Sequence, residues 1–142
     1  MKLSPNFTLE ELTHTDHREF DNTPNDSEIN NLKRLAEFLE DVKATLGGKP
    51  VIVNSAFRSK QVNDAVSSKD TSQHRIGCAA DIRVPGMTPD QVVKAIIAAQ
   101  LPYDQVIREF DRWTHVSIPN STLDKPRHQA LIIDKQGTRL YA

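Results

Sequence analysis

With one cysteine, Cys78, the chain has no internal disulfide framework to brace it. Aromatic residues make up only 6% of it. No apolar run approaches the roughly 20 residues needed to span a bilayer, so membrane insertion is not expected. Charge of neither sign dominates: 18 basic residues face 19 acidic ones, for a net charge of -1. Without a basic run or aromatic–basic interleaving, nothing points to nucleic acid as a partner. Internal repeats, low-complexity tracts and linkers are missing as well. A chain of 142 residues can nonetheless bury a real core, which leads to a single domain over 1–142, expected to be monomeric. The opening Met1–Phe7 turns polar too soon for a secretory signal. The expectation is a soluble protein made in the cytoplasm, needing another agent for release if it works outside the membrane.

The pattern that is present reads as helices followed by strands. Thr8-Leu9-Glu10-Glu11 has the form of a capping box opening a short helix, and residues 14–27 read as irregular. From about 24 to 46, Ile29, Leu32, Leu35, Ala36, Leu39, Val42 and Leu46 recur at helical spacing until Gly47-Gly48 stops the run. Val51–Val53 reads as a buried strand and Gln61–Val66 as a short helix. Thr88-Pro89-Asp90-Gln91 opens another helix, with Val92, Val93, Ile96 and Ile97 on its apolar face. Strands are expected at 79–84, 105–110 and 114–118, and a closing hairpin at 130–134 and 138–141 turns at Lys135-Gln136-Gly137. The sum is an α+β fold, with N-terminal helices packed on a mostly antiparallel sheet.

Three residues in this frame suggest chemistry. His74 and Asp81 stand seven positions apart, and His115 lies in Trp113-Thr114-His115-Val116-Ser117. Side chains alternate along a strand. Asp81 therefore falls opposite Ala80, Ile82 and Val84, and His115 falls opposite Val116 and Ile118. Both strands would turn apolar residues to a core and a potential ligand the other way. If they are neighbours, Asp81 and His115 converge, and His74 joins them from the loop entering the first strand, where Gly77 relieves the turn. Two imidazoles and a carboxylate would leave a tetrahedral zinc one open corner. Taken singly, a histidine or an outward aspartate usually has no such role; the coincidence of the three is what suggests a site.

At these residues the chain resembles the zinc D-alanyl-D-alanine carboxypeptidase family, whose fold is shared with lysostaphin-type enzymes and the Hedgehog signalling domain. The similar segments are Phe7–Leu12, Asn54-Ser55-Ala56-Phe57-Arg58-Ser59, Ser72–Ile82 and Trp113–Ser117. The His-x6-Asp pair followed by Trp-x-His is the specific part. The resemblance implies a Hedgehog/D-Ala-D-Ala peptidase-like fold, Zn2+ held by His74, Asp81 and His115, and a substrate-facing Arg58. A guanidinium there can steady a developing oxyanion or hold a substrate carboxylate. Ser72 and Gln73 are candidates for hydrogen bonds to substrate or for orienting His74, and Ser117 for supporting His115.

The general base departs from a common pattern. Many relatives carry Asp or Glu three residues before the last histidine, where this chain has Arg112. Glu109, on the parity of Gln105 and Ile107, is the favoured replacement and Asp111 in the turn is the alternative. Cys78 is expected to be a small buried hydrophobe rather than a ligand. His14, His17 and His128 lack partners at sensible spacing and are expected on the surface.

The leading functional expectation is a zinc peptidase acting on D-amino-acid-containing stem peptides of peptidoglycan. The bond would be D-Ala-D-Ala in a carboxypeptidase or L-Ala-D-Glu in an endopeptidase. As a phage or prophage lysis enzyme it would rely on a holin for exit to the cell wall. The alternative is a non-catalytic phage structural or binding module that keeps the fold and the metal, which Arg112 favours. A hydrolase for another small peptide or amide is a third option, because a metal site does not choose its substrate.

Overall fold

The computed structural model describes residues 1–141. A small hairpin, β1 (Lys2–Ser4) and β2 (Phe7–Thr8), runs into α1 (Leu9–Leu12). Thr8 caps α1 reciprocally with Glu11, as the sequence pattern suggests. The long helix α2 (Asp26–Thr45) starts at a second capping box, Asn25 with Glu28. It ends before Gly47 and Gly48, whose φ values of 72° and 83° suit residues without a Cβ. Next come β3 (Ile52–Ser55), α3 (Lys60–Ala65) and a 3₁₀ turn at Gln73–Ile76. The remainder is β4 (Ala79–Arg83), α4 (Pro89–Ala98), β5 (Gln105–Glu109), β6 (Trp113–Ser117), β7 (Gln129–Asp134) and β8 (Gly137–Leu140). No helix of the described residues is long and apolar enough to cross a membrane.

Six strands form one sheet in the order β3-β4-β6-β5-β7-β8. Every pairing is antiparallel except β5 with β7, which run parallel because residues 118–128 carry the chain back along the sheet before β7 begins. The α+β class therefore holds. Most strand bounds shift by a residue from the sequence reading, and other details differ as well. The β1–β2 hairpin was not anticipated, being too short to show a period. The short helix begins one residue earlier, at Lys60, because Ser59 caps it by accepting from the Val62 amide. His74 sits in a 3₁₀ turn rather than a loop.

Strand parity divides the sheet into two working faces. Ala80 and Ile82 of β4, Val106 of β5 and Val116 of β6 point to the core. There they meet Leu32, Leu35, Leu39 and Val42 of α2 and Val92, Val93 and Ile96 of α4. Each of these large apolar side chains contributes about 1.5–3 kcal/mol by leaving water. With the helices occupying that face, the opposite parity is left for Asp81, Ile107, Glu109 and His115.

Candidate metal centre and active-site cleft

Cross-strand register brings the candidate ligands together. Asp81 on β4 is paired directly with His115 on β6, and Ile107 on β5 lies beside His115 on the other side. Directly paired residues on one face hold their side chains within reach of each other. His115 Nδ1 is 3.0 Å from Asp81 Oδ1. His74 arrives from the 3₁₀ turn, with Nε2 3.4 Å from the same oxygen. That turn ends at Gly77, whose φ of 83° is left-handed and whose Cα lies against α2: an added Cβ would meet Glu28 O and Leu32 Cγ at 3.0 Å. The close approach and the left-handed backbone both require glycine.

The donor set fits zinc. One ligand atom from each of His74, Asp81 and His115 lies within 4.8 Å of the other two, and all three residues are buried. Tetrahedral bonds of about 2.0–2.1 Å would separate ligand atoms by about 3.3–3.4 Å, close to the spacings observed. His74 is also tautomerically committed. Its Nδ1 is 2.6 Å from the Ala56 carbonyl, which can only accept, so Nδ1 carries the hydrogen and Nε2 offers its lone pair to the site. Burial draws His74 toward the neutral form a ligand needs. Burial alone would raise the Asp81 carboxyl, but the fields and hydrogen bonds of the two imidazoles outweigh it and keep the group ionised.

Arg58 closes one side. Its Nη2 lies 3.3 Å from Asp81 Oδ2 and its Nε donates to Ser55 Oγ at 3.2 Å. Its backbone N–H donates to the His74 carbonyl, locking the segment after β3 to the 3₁₀ turn. The guanidinium partly offsets the cost of a buried carboxylate and still lines the cleft. Glu109 lines the same cleft. Its Oε2 accepts from the Trp113 indole N–H at 3.0 Å, and Oε1 is 4.0 Å from His115 Nδ1. Burial, then the nearby Asp81 charge, raise the Glu109 carboxyl above its ordinary value. The cleft between these groups holds about 480 Å³ and is also lined by Ser68 and Ser72.

Other candidates fall elsewhere. Asp111 is clamped by Arg108 on the outer surface, its side chain 61% exposed, so of the two acids considered Glu109 is the one at the cleft. Arg112 also faces outward, beside Arg83 and Asp111. Ser72 caps the 3₁₀ turn by accepting from the His74 amide at 3.2 Å, so it orients the ligand while lining the cleft. Gln73 is not in the cleft wall; its amide nitrogen donates to Asp104, the Ile118 carbonyl and Asn120. Ser117 Oγ accepts from the Gln105 amide. Cys78 is fully buried beside Arg34, away from the ligands. His14, His17 and His128 are outside the ligand group. Trp113 and Ala56 stand in motifs the sequence reading named, but it gave a role neither to the Trp113 indole nor to the Ala56 carbonyl. The pairing of Glu109 with Trp113 across a tight hairpin was the available signal for the first.

A family model for Peptidase M15 matches residues 5–117. The chain belongs to this family. M15 is the zinc D-Ala-D-Ala carboxypeptidase family, which makes the chain a metallopeptidase, and its His-Asp-His group could hold a metal ion. The match spans every residue of the cleft and stops at the end of β6, leaving β7 and β8 outside it. No curated protein matches the chain.

Proposed function

We propose that this M15 metallopeptidase hydrolyses peptide bonds in the D-amino-acid-containing stem peptides of peptidoglycan, either terminal D-Ala-D-Ala or internal L-Ala-D-Glu. The observation that carries the reading is the position of Glu109: a half-buried carboxylate 4.0 Å from His115, lining with Arg58 a cleft open to solvent. His74, Asp81 and His115 would hold the zinc, which when bound supplies Lewis-acid polarisation and an acidified water.

The chain's own groups supply the remaining chemistry. Glu109 takes the proton of the attacking water on Oε1, while the Trp113 indole holds Oε2 in place. The same carboxyl then gives that proton to the leaving amine, a double duty suited to a group whose proton affinity burial has raised. Arg58 faces the carbonyl oxygen as negative charge develops there, adding a fixed cation in a partly desolvated wall. The binding-module alternative drew its support from Arg112, and that support weakens once Glu109 occupies the cleft.

The test is digestion of purified cell wall followed by mass spectrometry of the released muropeptides, with and without chelator. New amino or carboxyl termini at a D-residue, lost on chelation and restored by zinc, are expected. Cleavage indifferent to chelation would sink the mechanism.

A further inference from the structure

A second groove, of about 600 Å³, adjoins the cleft and shares Ser68, Ser72 and His115 with it. Its floor is apolar. Parallel pairing sets Leu131 of β7 beside Ile107 of β5 and Ile133 beside Glu109, so both β7 residues lie on the same sheet face as the candidate ligands. Ile107 and Leu131 are only 4% and 8% exposed, yet neither joins the core cluster, which lies on the other face of the sheet. The apolar strip thus serves the groove rather than the packing of the helices.

The groove's far wall carries charge. Arg127 is held by Asp104 through Nε at 3.0 Å and Nη2 at 2.7 Å. Lys69 is exposed, and among the described residues no carboxylate lies within salt-bridge distance of its ammonium group. An apolar floor continuous with the scissile centre and a free cation at its edge match an extended peptide bearing a carboxylate. Of the floor residues, Leu131 and Ile133 lie beyond residue 117, where the family match ends.

We propose that the β7 groove binds the substrate peptide on one side of the scissile bond, with Lys69 pairing a carboxylate of that peptide. The inference rests on the peptidase reading and adds to it a determinant of specificity built from Lys69 and the β7 strand. In a stem peptide the carboxylate could belong to the α-carboxyl of D-Glu or to the C-terminus, and both present the same chemistry to an ammonium group.

Binding is measured by fluorescence anisotropy on the zinc-reconstituted full chain carrying Glu109→Gln, which holds the peptide without turning it over. That chain serves as the parent for the binding comparisons, while cleavage is read on the chain with Glu109 intact. The probe is a labelled L-Ala–γ-D-Glu–L-Lys–D-Ala–D-Ala pentapeptide in four forms, with each carboxylate free or amidated. Lys69→Gln is expected to weaken binding of the free acid about three- to tenfold. Amidating one carboxylate should weaken binding to the parent by the same factor and leave the variant indifferent, and which amide does so identifies the source. Ile133→Gln should weaken all four forms alike without changing the melting temperature. Equal affinities of Lys69→Gln and parent for every form, an equal loss across all forms, or no binding by the parent would overturn the proposal. Binding that depends on Lys69 but leads to no cleavage would sink the peptidase reading and leave the groove standing.

Discussion

Trp113 donates its indole N–H to Glu109 Oε2 at 3.0 Å, across the hairpin that joins β5 to β6. The turn between them, Phe110-Asp111, takes φ values of 51° and 52°, the double left-handed geometry of a tight hairpin. It sets Glu109 directly opposite Trp113, two residues from His115. The same bond keeps one carboxylate oxygen occupied and turns the other toward the ligands.

Glu109→Gln keeps the shape and removes the proton acceptor. Turnover should fall by about 10²- to 10⁴-fold, with zinc content unchanged by elemental analysis. Trp113→Phe is subtler. The indole bond lowers the Glu109 carboxyl against the raising effect of burial and Asp81, so removing it raises that group further. Because the base must be ionised, the acid limb of the kcat/KM profile should move to higher pH. An acid limb unmoved in Trp113→Phe would argue that Glu109 is not the group titrating.

His74→Ala removes a candidate ligand whose second nitrogen is already committed to Ala56. Zinc should drop well below one equivalent per chain, and chelation of the parent should abolish activity. Zinc at a hundred times its dissociation constant should stabilise the parent by about 2.7 kcal/mol, read as a rise in melting temperature absent from the variant.

Gly77→Ala tests the turn that delivers His74. A methyl group would meet Glu28 O and Leu32 Cγ at 3.0 Å on a left-handed backbone. The expected cost is about 2–4 kcal/mol in denaturant unfolding, with zinc affinity falling in parallel. A variant as stable as the parent would show that α2 yields more readily than the packing implies.

Asp104 gives a stability prediction with a definite sign. Burial would raise its carboxyl, but hydrogen bonds from Arg127 and Gln73 outweigh this and hold it below the ordinary value. A depressed folded-state value means stability fully present above the unfolded carboxylate range and lost as pH falls through the folded one. Asp104→Asn should therefore cost about 1–3 kcal/mol at pH 7, and the gap to the parent should narrow in acid. Urea melts at several pH values measure it.

Cys78 is buried, and burial pushes its thiol up to about 11. Ellman's reagent at pH 8 should react slowly with the folded chain and rapidly once it is unfolded in guanidinium.

Much of this protein is written locally. The α2 periodicity, the caps at Thr8 and Thr88, and the alternation in 79–84 depend on neighbours a few residues apart, and they translate directly into elements. The same alternation put Asp81 and His115 on the side away from the core, because a strand has only two faces. Glu109 was favoured over Asp111 on that parity too, and it is the acid at the cleft.

Alternation cannot say which strands are neighbours. That β4 lies against β6, with Asp81 opposite His115, follows from how the whole sheet is ordered under two helices. The 3₁₀ turn that aims His74 depends on Gly77 meeting Glu28 and Leu32 of α2, far earlier in the chain. Gln73 shows the same limit: its place next to His74 suggested a residue of the metal cleft, whereas Asp104 and Asn120 draw its amide to the wall of the adjoining β7 groove. The parallel docking of β7, which creates the apolar groove, is likewise a long-range contact with no local signature. Composition and period determined the elements and their apolar sides, since those forces act within a turn or a strand. Which side chains meet at one point was decided by packing, since only the folded core brings distant segments within ångströms of each other.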